Sequence, residues 1–155
     1  MKERILETFA ELGFILEQLE DSCYDFDYED KHMMLLTGKE DDGYLSISIP
    51  RIYGLEDGNP LVFSQLIDRI NSDLKYIKAY EIGNYIWIFY QRDIEGDSDL
   101  KLSISRMIMH LDAASTYIQH EVEVIAEEVG SLEDVQDEDI EDVEFEDGIY
   151  NENEE

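Results

Sequence analysis

Apolar positions along this chain fall into periods that change from segment to segment. Ile5, Phe9, Leu12, Leu16 and Leu19 recur at spacings of four and three, which predicts one helix from Lys2 to about Glu20. Tyr24, Phe26 and Tyr28 then alternate with Asp25, Asp27 and Glu29, the two-residue period of a strand with one wet face. His32 to Thr37 is apolar enough for a buried strand. Leu45, Ile47 and Ile49 alternate with Tyr44, Ser46 and Ser48 in a third strand that Pro50 should end, and residues 38–43 (GKEDDG) form the expected turn before it.

Asn59 can cap a helix whose first residue is Pro60, where the missing N–H costs nothing. Leu61, Val62, Leu66, Ile67, Ile70 and Leu74 give that helix an apolar face through about Asp73. Tyr76 to Ile82 and Tyr85 to Arg92 flank Gly83-Asn84, a two-residue hairpin turn. A last helix is expected from a cap at Ser98 or Asp97, through Leu100, Ile104, Ile108, Leu111 and Ile118, towards Val129. Strands grouped in this way, α-βββ-α-ββ-α, predict the α+β class, with one antiparallel sheet packed against helices.

The hairpin turn also sets a register. Ile82 should face Tyr85, Tyr80 should face Trp87 and Lys78 should face Phe89. Ile77, Ala79, Ile86, Ile88 and Tyr90 then share one side, which the helices should cover together with Leu45, Ile47 and Ile49. Tyr80, Ile82, Tyr85, Trp87 and Phe89 share the other side, with Lys78 at its edge. A single-sheet domain with one helical layer usually keeps its second face wet. An aromatic second face therefore wants a cover: the chain's own last helix or C-terminal segment, a bound peptide, or another subunit. Those five residues are the candidate protein-binding or dimer face, and Trp87 is expected to be its packing anchor.

Charge narrows the partners. Among 155 residues, 40 Asp and Glu oppose 11 Lys and Arg, a net charge of −29. Phosphate backbones and anionic lipid need the opposite sign, so nucleic acid and membrane surfaces are not expected partners. Every basic residue lies at or before Arg106, whereas Glu127 to Glu155 holds fifteen acidic residues in twenty-nine. A domain over residues 1–128 and a solvated acidic tail over 129–155 follow from that asymmetry. The lone Cys23 allows no intrachain disulfide, and the longest wholly apolar run, Tyr85 to Tyr90, has six residues. A cytoplasmic location is the expectation.

No H-E-x-x-H, C-x-x-C, G-x-S-x-G or P-loop pattern occurs. His32, His110 and His120 are scattered among acidic residues. Asp93, Glu95, Asp97 and Asp99 imitate a calcium loop, but Ser98 and Ile104 stand where it needs Gly and a bidentate Glu. Asp25, Asp27 and Glu29 fail the same test at Asp30 and Leu36. No catalytic, cofactor-binding or metal-binding residue is assigned, and the chain is not expected to be an enzyme.

Leu66-Ile67-Asp68-Arg69-Ile70-Asn71, then Tyr76-Ile77-Lys78-Ala79-Tyr80, a short turn, Ile86-Trp87-Ile88-Phe89 and a long amphipathic helix resemble the YbjN-type family. Those bacterial proteins share the type III secretion chaperone-like fold. The resemblance spans roughly residues 1–126 and implies a small acidic homodimer without enzymatic activity. It implies a chaperone-like or regulatory adaptor that holds a protein segment on apolar surface. Asn71 matches the family's helix-end Asn, where a helix C-cap is the simpler role. The acidic tail departs from the family pattern. An alternative from charge alone is an acidic inhibitor or immunity-type protein that neutralises a basic enzyme or mimics nucleic acid.

Overall fold

The computed structural model describes residues 1–40 and 43–154, with side chains through Leu132. Its elements run α1 (Lys2–Glu11), β1 (Glu17–Glu20), β2 (Cys23–Tyr28), β3 (Lys31–Thr37) and β4 (Tyr44–Gly54). A short 3₁₀ turn (Leu55–Asp57) leads to α2 (Pro60–Asp73), β5 (Ile77–Ile82), β6 (Tyr85–Asp93) and α3 (Leu100–Glu154). All strand pairs are antiparallel, in the order β1-β2-β3-β4-β6-β5. The protein is α+β: one six-stranded antiparallel sheet with three helices, as its element pattern predicts.

The first helix is shorter than its stripe implies. It stops at Gly13, which takes φ +92°, a backbone region that glycine enters without penalty. The Gly13 N–H donates to the Ala10 carbonyl and the Phe14 N–H to the Phe9 carbonyl, both at 3.0 Å. These two bonds close a Schellman motif, and the Phe9 and Phe14 rings meet across it at 5.9 Å. Leu16 and Leu19 therefore leave the helix, and residues 17–20 form the edge strand β1 instead.

Pro50 does not end its strand. β4 continues to Gly54 through an irregularity, since Ile49 pairs with Ile88 but the next partners are Tyr53 and Ile86. The proline cannot donate to the ladder, and the bulge places it where no ladder bond is required, with Arg51 following at φ +49°. β3 is also not buried throughout: Met33, Leu35 and Thr37 are inside, while His32 and Leu36 point to solvent.

The second helix matches its sequence signal, with Asn59 Oδ1 accepting from the Leu61 N–H at 2.8 Å and Pro60 first in the helix. The third is capped by Asp99, whose Oδ1 accepts from the Leu102 N–H at 3.1 Å, and not by Ser98 or Asp97. Asp97 is taken up elsewhere, by Arg92 Nη2 at 2.7 Å and the Ser103 hydroxyl at 2.6 Å.

All three helices lie on one side of the sheet. Ile5 and Phe9 of α1, Leu66 and Ile70 of α2, and Ile104, Met107, Leu111 and Ile125 of α3 join Leu45, Ile47, Ile86 and Ile88 in one core. Phe9, Phe14, Phe26 and Tyr28 close it at the β2 end, with ring centroids 5.1–6.2 Å apart. Polar ties fasten α2 to α3. Arg69 meets Glu121 at 2.8 Å and also Glu128, and the Tyr117 hydroxyl donates to Asp73 at 2.9 Å. Val129 is still part of the core. Beyond Leu132 the expectation of a solvated tail falls on side chains outside those described, and Asp41 and Asp42 in the turn over 38–43 lie outside the described residues.

Candidate protein-binding face

The hairpin is built as its sequence dictates. Gly83 and Asn84 both take positive φ, +58° and +66°, the two-residue turn whose twist matches the flanking strands. Ile82 pairs with Tyr85, Tyr80 with Trp87 and Lys78 with Phe89. Parity then separates the two sides. Ile77, Ala79, Ile86, Ile88 and Tyr90 are buried under the helices. Tyr80, Ile82, Tyr85, Trp87 and Phe89 lie on the opposite side, and the described part of α3 packs on the other face of the sheet from them.

Within this outer set the rings hold one another. Trp87 and Phe89 stack at 6.2 Å with 14° between planes, and Tyr80 meets Phe89 edge-on at 5.5 Å. Phe89 is thereby 9% exposed, yet it is not part of the helix-side core. Trp87 is half-buried, while Tyr80, Ile82 and Tyr85 remain 45%, 45% and 40% exposed. The Trp87 indole N–H is buried and has no hydrogen-bond partner among the described residues.

Register carries the face further than the hairpin. Phe89 pairs with Ser48 and Ser48 with Met34; beside that row, Leu36 pairs with Ser46. The exposed Leu36 and Tyr44 extend the same side across β3 and β4. The small serines of the central strand are buried between the larger side chains of its neighbours. Leu36 and Met34 are absent from the sequence-based set because the whole of His32 to Thr37 reads as a buried run. Only pairing through β4 reveals that its even positions face outward. With aromatic side chains worth about 150–250 Å² each, these exposed fractions leave on the order of 400 Å² of apolar surface.

Carboxylates border this face at the β2 end. His32 sits between Asp25 and Asp27, with Nε2 3.1 Å from one Oδ1 and Nδ1 3.3 Å from the other. His110 lies elsewhere, exposed against the rings of Tyr76 and Tyr90 at 5.4 and 5.8 Å. The Cys23 thiol is pushed up from its ordinary pKa by burial first, then by Glu20 and Asp25, which lowers its nucleophilic fraction at neutral pH.

The acidic run after β6 is occupied internally. Asp93 Oδ1 accepts from the Glu95 N–H at 2.8 Å, Asp97 holds Arg92, and Asp99 caps α3. Among the described residues, no group of three or more His, Cys, Asp or Glu is placed to hold a metal ion. A depression between the 3₁₀ turn and the hairpin turn, bordered by Asp57, Asn84 and Tyr85, has about 110 Å³, several-fold smaller than usual small-molecule sites. A wider, shallow one of about 630 Å³ runs along Val124, Glu128 and Leu132 of α3. Among the described residues, no helix is long and apolar enough to cross a membrane. No protein-family pattern matches the chain, and no curated protein matches it.

Proposed function

We propose that this chain is a non-enzymatic protein-binding module that uses the outer sheet face to hold a segment of a partner protein or a second copy of itself. The observation that carries this is the face itself: aromatic and aliphatic side chains, ordered by ring stacking, on the side of the sheet away from the helices. Surface of that size and character is what specific interfaces use for their central, desolvated part, with a polar rim around it. The resemblance to YbjN-type and secretion-chaperone-like proteins points the same way, towards a homodimeric adaptor without turnover. The single unpaired Cys23 suits a cytoplasmic setting.

Charge supports a second reading, an acidic inhibitor that neutralises a basic enzyme, because −29 would strongly attract a cationic partner. Salt separates the two. Capture from native cytosol, washed at low and at high ionic strength, should retain a partner held on the apolar face and release one held by charge. Light scattering on the purified chain should give twice 18.1 kDa if the second copy is the occupant. Tyr80→Glu should abolish either association and leave the melting temperature nearly unchanged, because Tyr80 is 45% exposed. Association that persists in that variant would move the interface off this face.

A further inference from the structure

A sheet can meet a partner across its face or along its edge, and this sheet has two edges, β1 and β5. β1 is a poor template: four exposed residues, two of them Glu, with an irregular register against β2. β5 is six residues long and regular. In a hairpin with a two-residue turn the flanking pair exchanges hydrogen bonds and the next pair does not. Ile82, Tyr80 and Lys78 therefore bond inward to β6. Ile77, Ala79 and Glu81 direct their N–H and C=O groups to the open edge.

Asn71 meets that edge at its centre. Its Oδ1 accepts from the Ala79 N–H at 2.7 Å, and its Nδ2 donates to the Ala79 carbonyl at 3.1 Å. One side-chain amide thus makes both bonds that a residue of an added strand would make. Asn71 lies in the last turn of α2 but does not cap it; the helix ends on Leu74, whose N–H donates to Ile70. Glu81, exposed beside it, adds a charge to the remaining edge.

We propose that Asn71 closes the β5 edge to strand addition, so that the sheet is approached across its face and not extended. The inference rests on the two bonds to Ala79 and is independent of what occupies the outer face. Removing the amide frees one donor and one acceptor in the middle of a regular edge strand, and two copies can then pair β5 to β5 across a twofold axis.

The test compares Asn71→Ala with the wild-type chain by light scattering and infrared spectroscopy over a range of concentrations. Alanine favours the helix, so α2 itself is not weakened. The variant should show at least a doubling of mass relative to the wild type at high concentration, with an intermolecular antiparallel β signature. Its Ala79 amide should exchange about tenfold faster or more when dilute. A second substitution, Glu81→Pro, removes an outward donor without touching the β5–β6 bonds and should return the mass to the wild-type value. A folded Asn71→Ala that keeps the wild-type mass overturns the proposal, as does association that survives Glu81→Pro. If Asn71→Ala lacks a cooperative melt, Asn71→Ser is measured in its place against the same outcomes. If neither variant folds, the pair is a folding requirement and the proposal fails.

Discussion

Ile88 and Trp87 are neighbours on β6, and they point to opposite sides of the same sheet. Ile88 is fully buried in the core on the helix side, whereas Trp87 is half-buried among rings that the described part of the helices does not cover. Under the hairpin the inner face is mainly aliphatic and closed, its aromatic residues gathered at the β2 end; the outer face is aromatic, with flexible Met34 and small serines between its rings. Aliphatic side chains interdigitate with helices at crystal-like density, which gives a fold its stability. Amphipathic rings such as Tyr80 and Tyr85 tolerate water and still bury large areas on contact, the property that enriches them at interfaces. One face holds the protein together; the other is the one that the proposed function assigns to association.

The sharpest way to break that division is Ile88→Ala, which should lower unfolding free energy by about 2–5 kcal/mol and leave association of the folded chain unchanged. Chemical denaturation checks it, and a loss below about 1 kcal/mol would mean the inner face is not the principal core. Trp87→Ala should have the opposite balance. Full burial would cost about 3–5 kcal/mol, but a half-buried ring should cost about 1–2 kcal/mol, with association as the larger casualty. Unchanged oligomeric state and partner capture in that variant would show that the outer face is not the association surface.

Asp99→Ala tests whether the layer over the inner face depends on its helix cap. A loss of about 1 kcal/mol in thermal or chemical unfolding is expected, without effect on association. The smallest effect concerns Tyr117. Burial first, and then the bond to Asp73, push its phenol from 10 up to about 12. A pKa raised by folding contributes stability that is fully present below the unfolded value and is lost as pH rises through the folded one. The wild-type chain should therefore weaken between pH 10 and 12 by up to about 1 kcal/mol more than Tyr117→Phe, a modest figure because the group is partly solvated. Parallel alkaline denaturation profiles for the two proteins would show that the α2–α3 contact contributes nothing to that pH dependence.

Legibility in the sequence followed how local each signal was. The cap at Asn59, the turn at Gly83-Asn84 and the strand pairings read from that turn are set by residues a few positions apart, and all appear in the structure. The first helix is shorter than its apolar stripe, which continues through Leu16 and Leu19, because a positive-φ glycine at Gly13 and the two N–H bonds that close the helix there outweigh periodicity. Pro50 misled in the other direction, since a bulge can hold a proline inside a strand. Asp99 displaced Asp97 as a cap once Arg92 and Ser103 had claimed the Asp97 carboxylate.

By itself the sequence determined the α+β class, the hairpin register and the list of residues that share each side of β5 and β6, because turn geometry and side-chain alternation are properties of neighbouring residues. The side the helices cover was legible too, because Leu45, Ile47 and Ile49 alternate with polar residues on β4 and mark it. β6 is apolar at every position from Tyr85 to Tyr90, so its own alternation does not say whether the second side is covered as well; tertiary structure alone decided that the described part of α3 leaves the aromatic side open. The same holds for Asn71, whose role depends on α2 lying alongside β5, a contact between segments that no local pattern specifies.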